Sequence, residues 1–193
     1  MRWLVIIGVL VATSPVLENP RVRAYRTSAG ALTGVAHGPG VVIALDDAPG
    51  AKMGSAAWVE DAAAPSPTTS AGGSIVIVQP LRPARSRRPP LAGSKPGDAP
   101  FTGMSFNPIF ENDRVSVIRA RMEVGARESF HTHGSDTIVV HLSGGEIEDT
   151  ADGKTVVKRW KHGDVEFESL GSSHSARNVG GAVDVVLVAL KPR

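Results

Sequence analysis

From Val115 onward, apolar residues alternate with polar ones in runs of four to eight, and turn residues break the runs. This period-two pattern predicts strands over Val115–Met122, Asp136–Leu142, Glu146–Asp149, Thr155–Trp160, Val165–Glu168, His174–Asn178 and Val183–Leu190. The breaks fall at Ser143-Gly144-Gly145, Asp152-Gly153 and His162-Gly163, where the chain must reverse. No segment repeats apolar residues at i, i+3, i+4 and i+7, so little helix is expected. Short strands at close spacing make this an all-β chain, a sandwich or a jelly-roll barrel.

The same pattern occurs earlier in the chain. Residues 15–26 (PVLENPRVRAYR) align with 108–119 (PIFENDRVSVIR) at constant offset, with Pro, Glu, Asn, two Arg and Val identical. Further on, His37-Gly38 and the run Val41–Leu45 echo His133-Gly134 and Thr137–Leu142. Two matches in the same order read as a duplicated barrel with a degenerate first copy. The expected organisation is a signal-like segment over 1–14, the degenerate half over 15–80, a linker over 81–103 and a competent barrel over 104–193.

Composition refines this picture. The 193 residues are long enough to bury a sizeable core, and 21 Gly with 14 Pro suit a turn-rich chain. The net charge of +2 is uneven, because Arg82, Arg85, Arg87, Arg88 and Lys95 face only Asp98 between residues 81 and 103. That Pro- and Arg-rich stretch reads as an exposed, semi-extended linker, as 62–73 reads as a long loop. The basic run carries no interleaved aromatics, so no nucleic-acid partner is expected. Cysteine is absent, which excludes disulfides, thiolate nucleophiles and Cys-based zinc sites. Residues 1–14 (MRWLVIIGVLVATS) place Arg2 before a ten-residue apolar run, as in a signal for export to the periplasm or medium. A buried strand in a cytoplasmic protein is the alternative. The run is too short for an integral membrane helix.

Chemistry concentrates in the histidines. His131 and His133, at i and i+2 of an extended segment, point to one side. His174 joins them only if the sheet curls to bring its strand opposite. Three neutral imidazoles make a strong borderline-metal site, which Zn²⁺, Fe²⁺, Mn²⁺, Ni²⁺ or Cu²⁺ would suit. Asp136 is the nearest acid and a candidate fourth ligand, with water or His141 as alternatives. By strand alternation, however, Thr137, Val139 and His141 share the inner face unless a bulge intervenes. Thr137, His141 and Asn178 are the candidate pocket residues. Arg127 and Arg177 are read as solvated surface groups before anion binders.

Two spacings carry a resemblance. Gly125, His131, His133 and Gly144 match one run; Gly163, Gly171, His174 and Asn178 match a second. Together they resemble the paired motifs of the cupin superfamily, over residues 104–193. The resemblance implies a jelly-roll barrel (a double-stranded β-helix), a metal in it, and a small-molecule ligand at its mouth. It leaves a homodimer open. The pattern departs at Thr137 and Ile138, where the superfamily carries a ligating Glu, and at Ser169, where it carries Pro. In the first half Val35 stands where the first metal histidine belongs. The implied function is a metal-binding protein, in its catalytic form dioxygenase-like or hydrolytic. A non-catalytic ligand-binding module is the alternative, and an envelope structural role has only the N-terminal segment behind it.

Overall fold

A computed structural model describes residues 13–65, 72–82 and 101–191. The signal-like segment up to residue 12 and most of the linker therefore lie outside the described residues. The described residues form thirteen strands: β1 (Leu17–Glu18), β2 (Val22–Ser28), β3 (Gly40–Ala44), β4 (Ala56–Val59), β5 (Ser74–Pro80), β6 (Phe101–Glu111), β7 (Val115–Thr132), β8 (Thr137–His141), β9 (Gly145–Ala151), β10 (Lys154–Trp160), β11 (Val165–Glu168), β12 (Ser173–Asn178) and β13 (Val183–Leu190). No described helix is long and apolar enough to cross a membrane. The expected strands of the second half all form. One was missed: β6 begins at Phe101, inside the stretch read as linker, and its mostly exposed residues lack the apolar alternation that marks a half-buried strand.

The first half is a five-stranded sheet in the order β1-β2-β5-β3-β4. Five strands of the second half repeat that order as β6-β7-β13-β8-β11. The registers repeat as well. Leu17 faces Ala24 as Phe110 faces Val117, Val41 faces Val78 as Ile138 faces Val188, and Val41 faces Trp58 as Ile138 faces Phe167. The aligned asparagines make the same turn. Asn19 Oδ1 accepts the N–H groups of Arg21 and Val22 at 2.8 and 3.1 Å; Asn112 Oδ1 accepts those of Arg114 and Val115 at 2.8 and 3.0 Å. An Asx turn needs that side chain, which explains its presence in both copies.

The two sheets pack face to face. Val22, Ile43 and Val78 from the first half share one core with Val117, Ile138 and Val188 from the second. Matching arginines cross between the halves in both directions. Arg21 reaches Asp136, while Arg114 donates to the Pro80 carbonyl and lies over Trp58. Arg119 donates to the Met53 carbonyl, and Arg26 packs on Gly163. Gly163 has φ +82°, and a Cβ there would meet Arg26 Cζ at 2.5 Å. The Arg26 guanidinium can swing aside, so the cost of Gly163→Ala is mainly that of the left-handed backbone, about 1–2 kcal/mol. A denaturant midpoint checks it; an unchanged midpoint would show that the turn relaxes to accept a Cβ.

In the second half β9, β10 and β12, for which the described first half has no counterpart, extend the sheet and curl it into a barrel. β7 makes the corner: Val115–Met122 pair with β13, whereas Arg127–Thr132 pair with β12. The curl returns β10 to β11, where Lys158 Nζ lies 3.9 Å from Glu166 Oε1. His141 stacks on Trp160 across the interior, with ring centroids 4.6 Å apart.

Candidate metal centre

Register places the histidines. His131 on β7 pairs directly with His174 on β12, and His133 follows two residues on. The turn before β12 contains Gly171, and its backbone N–H donates to the His133 carbonyl at 2.9 Å, fastening that turn to the end of β7. The ring centroids lie 4.7 Å apart for His131 and His174, and 5.0 Å from each to His133. One ring nitrogen from each comes within 4.8 Å of the other two. Ligands near 2.1 Å from one ion stand roughly 3–4 Å apart, a contraction that small χ rotations supply.

The remaining nitrogens are held from behind. His131 Nδ1 lies 2.9 Å from the Ser129 carbonyl, and a carbonyl can only accept, so this nitrogen carries the proton and Nε2 keeps its lone pair. His174 Nδ1 lies 2.7 Å from Asp149 Oδ1, whose other oxygen pairs with Lys158 at 2.7 Å. Burial alone would raise the Asp149 carboxyl, but Lys158 and His174 hold it below its usual value. A carboxylate behind a histidine is the arrangement that orients metal ligands. His174 Nε2 is buried with no hydrogen-bond partner, an orphan that an ion would satisfy. Burial, then the neighbouring His174 and His131, lower the His133 pKa to about 4, so this ring is neutral and needs no deprotonation to bind. The donor set fits a divalent ion.

Asp136 is not part of this centre, which corrects its candidacy as a ligand. Its carboxylate accepts from Arg21 Nε at 3.0 Å and from the Leu170 N–H at 2.9 Å. Alternation along β8 turns Thr137, Val139 and His141 into the barrel, where Thr137 and His141 line the cavity. Asn178 does not line it and is likewise corrected. Its amide donates to the carbonyls of Met122, Glu123 and Gly181 and accepts from the Gly180 N–H, tying the end of β12 to β7. Arg177 pairs with Glu148 at 3.1 Å and lies outside the cavity lining, as does Arg127.

The acids of the site come from elsewhere. Glu128 Oε2 stands 3.6 Å from His174 Nε2, and Glu168 Oε2 stands 3.5 Å from His133 Nδ1. Strict alternation puts Glu128 on the face opposite His131. The pairing of β7 with β12 shifts register between His174 and Ala176, and this irregularity brings both inside. Glu168 sits directly across from Thr137. Burial, then repulsion from Glu128 and Glu166, raises the Glu168 pKa to about 8. Burial also raises Glu128.

These shifts fix a pH dependence for the metal-free protein. The unfolded chain ionises Glu168 near 4.5, whereas the folded chain keeps the proton to about 8, so folding binds more protons and stability falls as pH rises between those values. His133 acts oppositely, but only between about 4 and 6.5. From pH 6.5 to 8, Glu168 should therefore cost about 1–2 kcal/mol. Denaturation in chelator at both pH values checks this; Glu168→Gln should flatten the slope, and an equal slope in the variant would assign the effect elsewhere.

No protein-family model matches the chain, and no curated protein matches it. Among solved structures it is similar to a cupin domain from Bordetella pertussis Tohama I, at 22% identity over 46% of this chain and 94% of that one, with TM-score 0.43. It is also similar to RmlC-like cupins from Shewanella frigidimarina (20% identity, 47% and 78% covered, TM-score 0.39) and Desulfovibrio desulfuricans (21%, 47% and 84%, 0.39). Both motifs lie on one curled antiparallel barrel, and their three histidines face one another inside it. The second half of this chain is a curled antiparallel β-barrel, and these solved structures to which it is similar are cupins.

Proposed function

We propose that the barrel binds one divalent metal ion through His131, His133 and His174, with Glu128 and Glu168 as neighbouring acids, and takes a small organic molecule into the same cavity. The observation that carries this reading is the buried Nε2 of His174, which makes no hydrogen bond, within a group of three histidines that each bring one ring nitrogen within 4.8 Å of the others. Bound there, the ion would supply Lewis acidity. The chain's own residues do the rest. Asp149 and the Ser129 carbonyl fix the tautomers of two rings, and the apolar walls exclude water. The cavity of about 280 Å³ lies at the small end for organic ligands.

The catalytic form of the proposal is a metal-dependent enzyme, dioxygenase-like or hydrolytic, acting on that molecule. Metal analysis after reconstitution with Zn²⁺, Fe²⁺, Mn²⁺, Ni²⁺ or Cu²⁺ tests the binding step. One ion per chain is expected, and a metal-free protein with every ion would defeat the proposal. Oxygen uptake by the iron-loaded form, against hydrolysis by the zinc-loaded form, then separates the two chemistries. Asp149→Asn leaves the ligands in place but weakens the orientation of His174, so metal affinity should fall about 10–100-fold. Calorimetric titration reads this, and unaltered affinity would remove Asp149 from the site.

A further inference from the structure

The cavity holds more than the three histidines need. Its apolar walls include Met104, Met122, Val139, Val185, Leu187 and Trp160. Its polar side presents four acids, Glu128, Asp149, Glu166 and Glu168, against one cation among the lining residues, Lys158. That ammonium is already committed, 2.7 Å from Asp149 and 3.9 Å from Glu166. Among the described residues no arginine lines the cavity. Even with Glu168 and Glu128 holding their protons, Asp149 and Glu166 outnumber the single ammonium, so an anion entering the metal-free cavity meets a negative field in a low-dielectric space. Glu166 stands apart from the histidine triad and holds its neighbours loosely, with His141 Nε2 at 3.4 Å. The wall also contains a buried polar atom without a partner, Nδ1 of His141.

From this imbalance we infer that the cavity selects an apolar molecule bearing an amine or another hydrogen-bond donor, held by Glu166, and rejects carboxylates and phosphates. The inference takes its location from the proposed metal reading and concerns the metal-free cavity, where the excess of acid lies. A matched series tests it: benzylamine, benzyl alcohol and benzoate share one apolar body and differ in charge. Titrated into metal-free protein, they should bind in the order amine, alcohol, benzoate. Glu166→Gln should weaken benzylamine about tenfold and leave benzyl alcohol and zinc within about twofold, since a hydrogen bond to a charged group is worth about 1.5–3 kcal/mol. Benzoate binding tightest, no binding of any probe at about 10 mM, or an unaltered amine preference in the variant each overturns the inference. If zinc does not bind while the metal-free protein still prefers the amine, the metal reading fails and the selectivity stands.

Discussion

His174→Ala is expected to weaken zinc binding at least about 100-fold, more than any change behind the ligands. The reason is geometric. His131 and His133 come from one strand and leave an ion open on the far side; His174 is the group that the curled sheet brings from opposite. The variant should keep its fold, because Asp149 retains its ion pair with Lys158. Thermal stabilisation by added zinc follows RT ln(1 + [L]/Kd), so the upward shift in melting temperature seen with wild type should vanish in the variant. A wild-type shift persisting in His174→Ala would place the ion elsewhere.

Ile138→Ala is expected to cost about 2–5 kcal/mol, against a total stability of about 5–15 kcal/mol for a folded protein. Ile138 is fully buried on β8, facing away from the barrel and into the core shared by the two halves. The cavity it leaves is walled by two stacked sheets, which close over a gap poorly. Because the core is common, both halves should unfold together. Trp58 lies on the first sheet and Trp160 in the barrel, so single-tryptophan variants can follow each half in urea. Coincident transitions, both moved to lower urea by Ile138→Ala, are expected. Separate transitions with only one displaced would show that the halves are independent.

The sequence reveals the second half well because its strands obey period two and its turns carry Gly, Ser and Asp. The repeat was equally legible: Asn19 and Asn112 recur because each closes the same turn. The histidines were readable from spacing alone. The acids were not, for two reasons. Glu128 reaches the interior through a register irregularity between β7 and β12, which sequence does not mark. Glu166 and Glu168 lie in the pattern Val-Glu-Phe-Glu, which reads as an ordinary half-exposed strand with acids facing solvent. Here the apolar side packs under the first half and the acids face the barrel. The inversion is legible only once the first sheet is known to cover the outer face. Asn178, a candidate pocket residue whose amide also suits a strand end, makes hydrogen bonds that all go to backbone.

X-ray absorption of the zinc-loaded protein tests the central arrangement most directly. Three imidazole nitrogens at about 2.0–2.1 Å, with oxygen completing the shell, are expected. A spectrum with one imidazole or none would mean that the three rings do not share an ion.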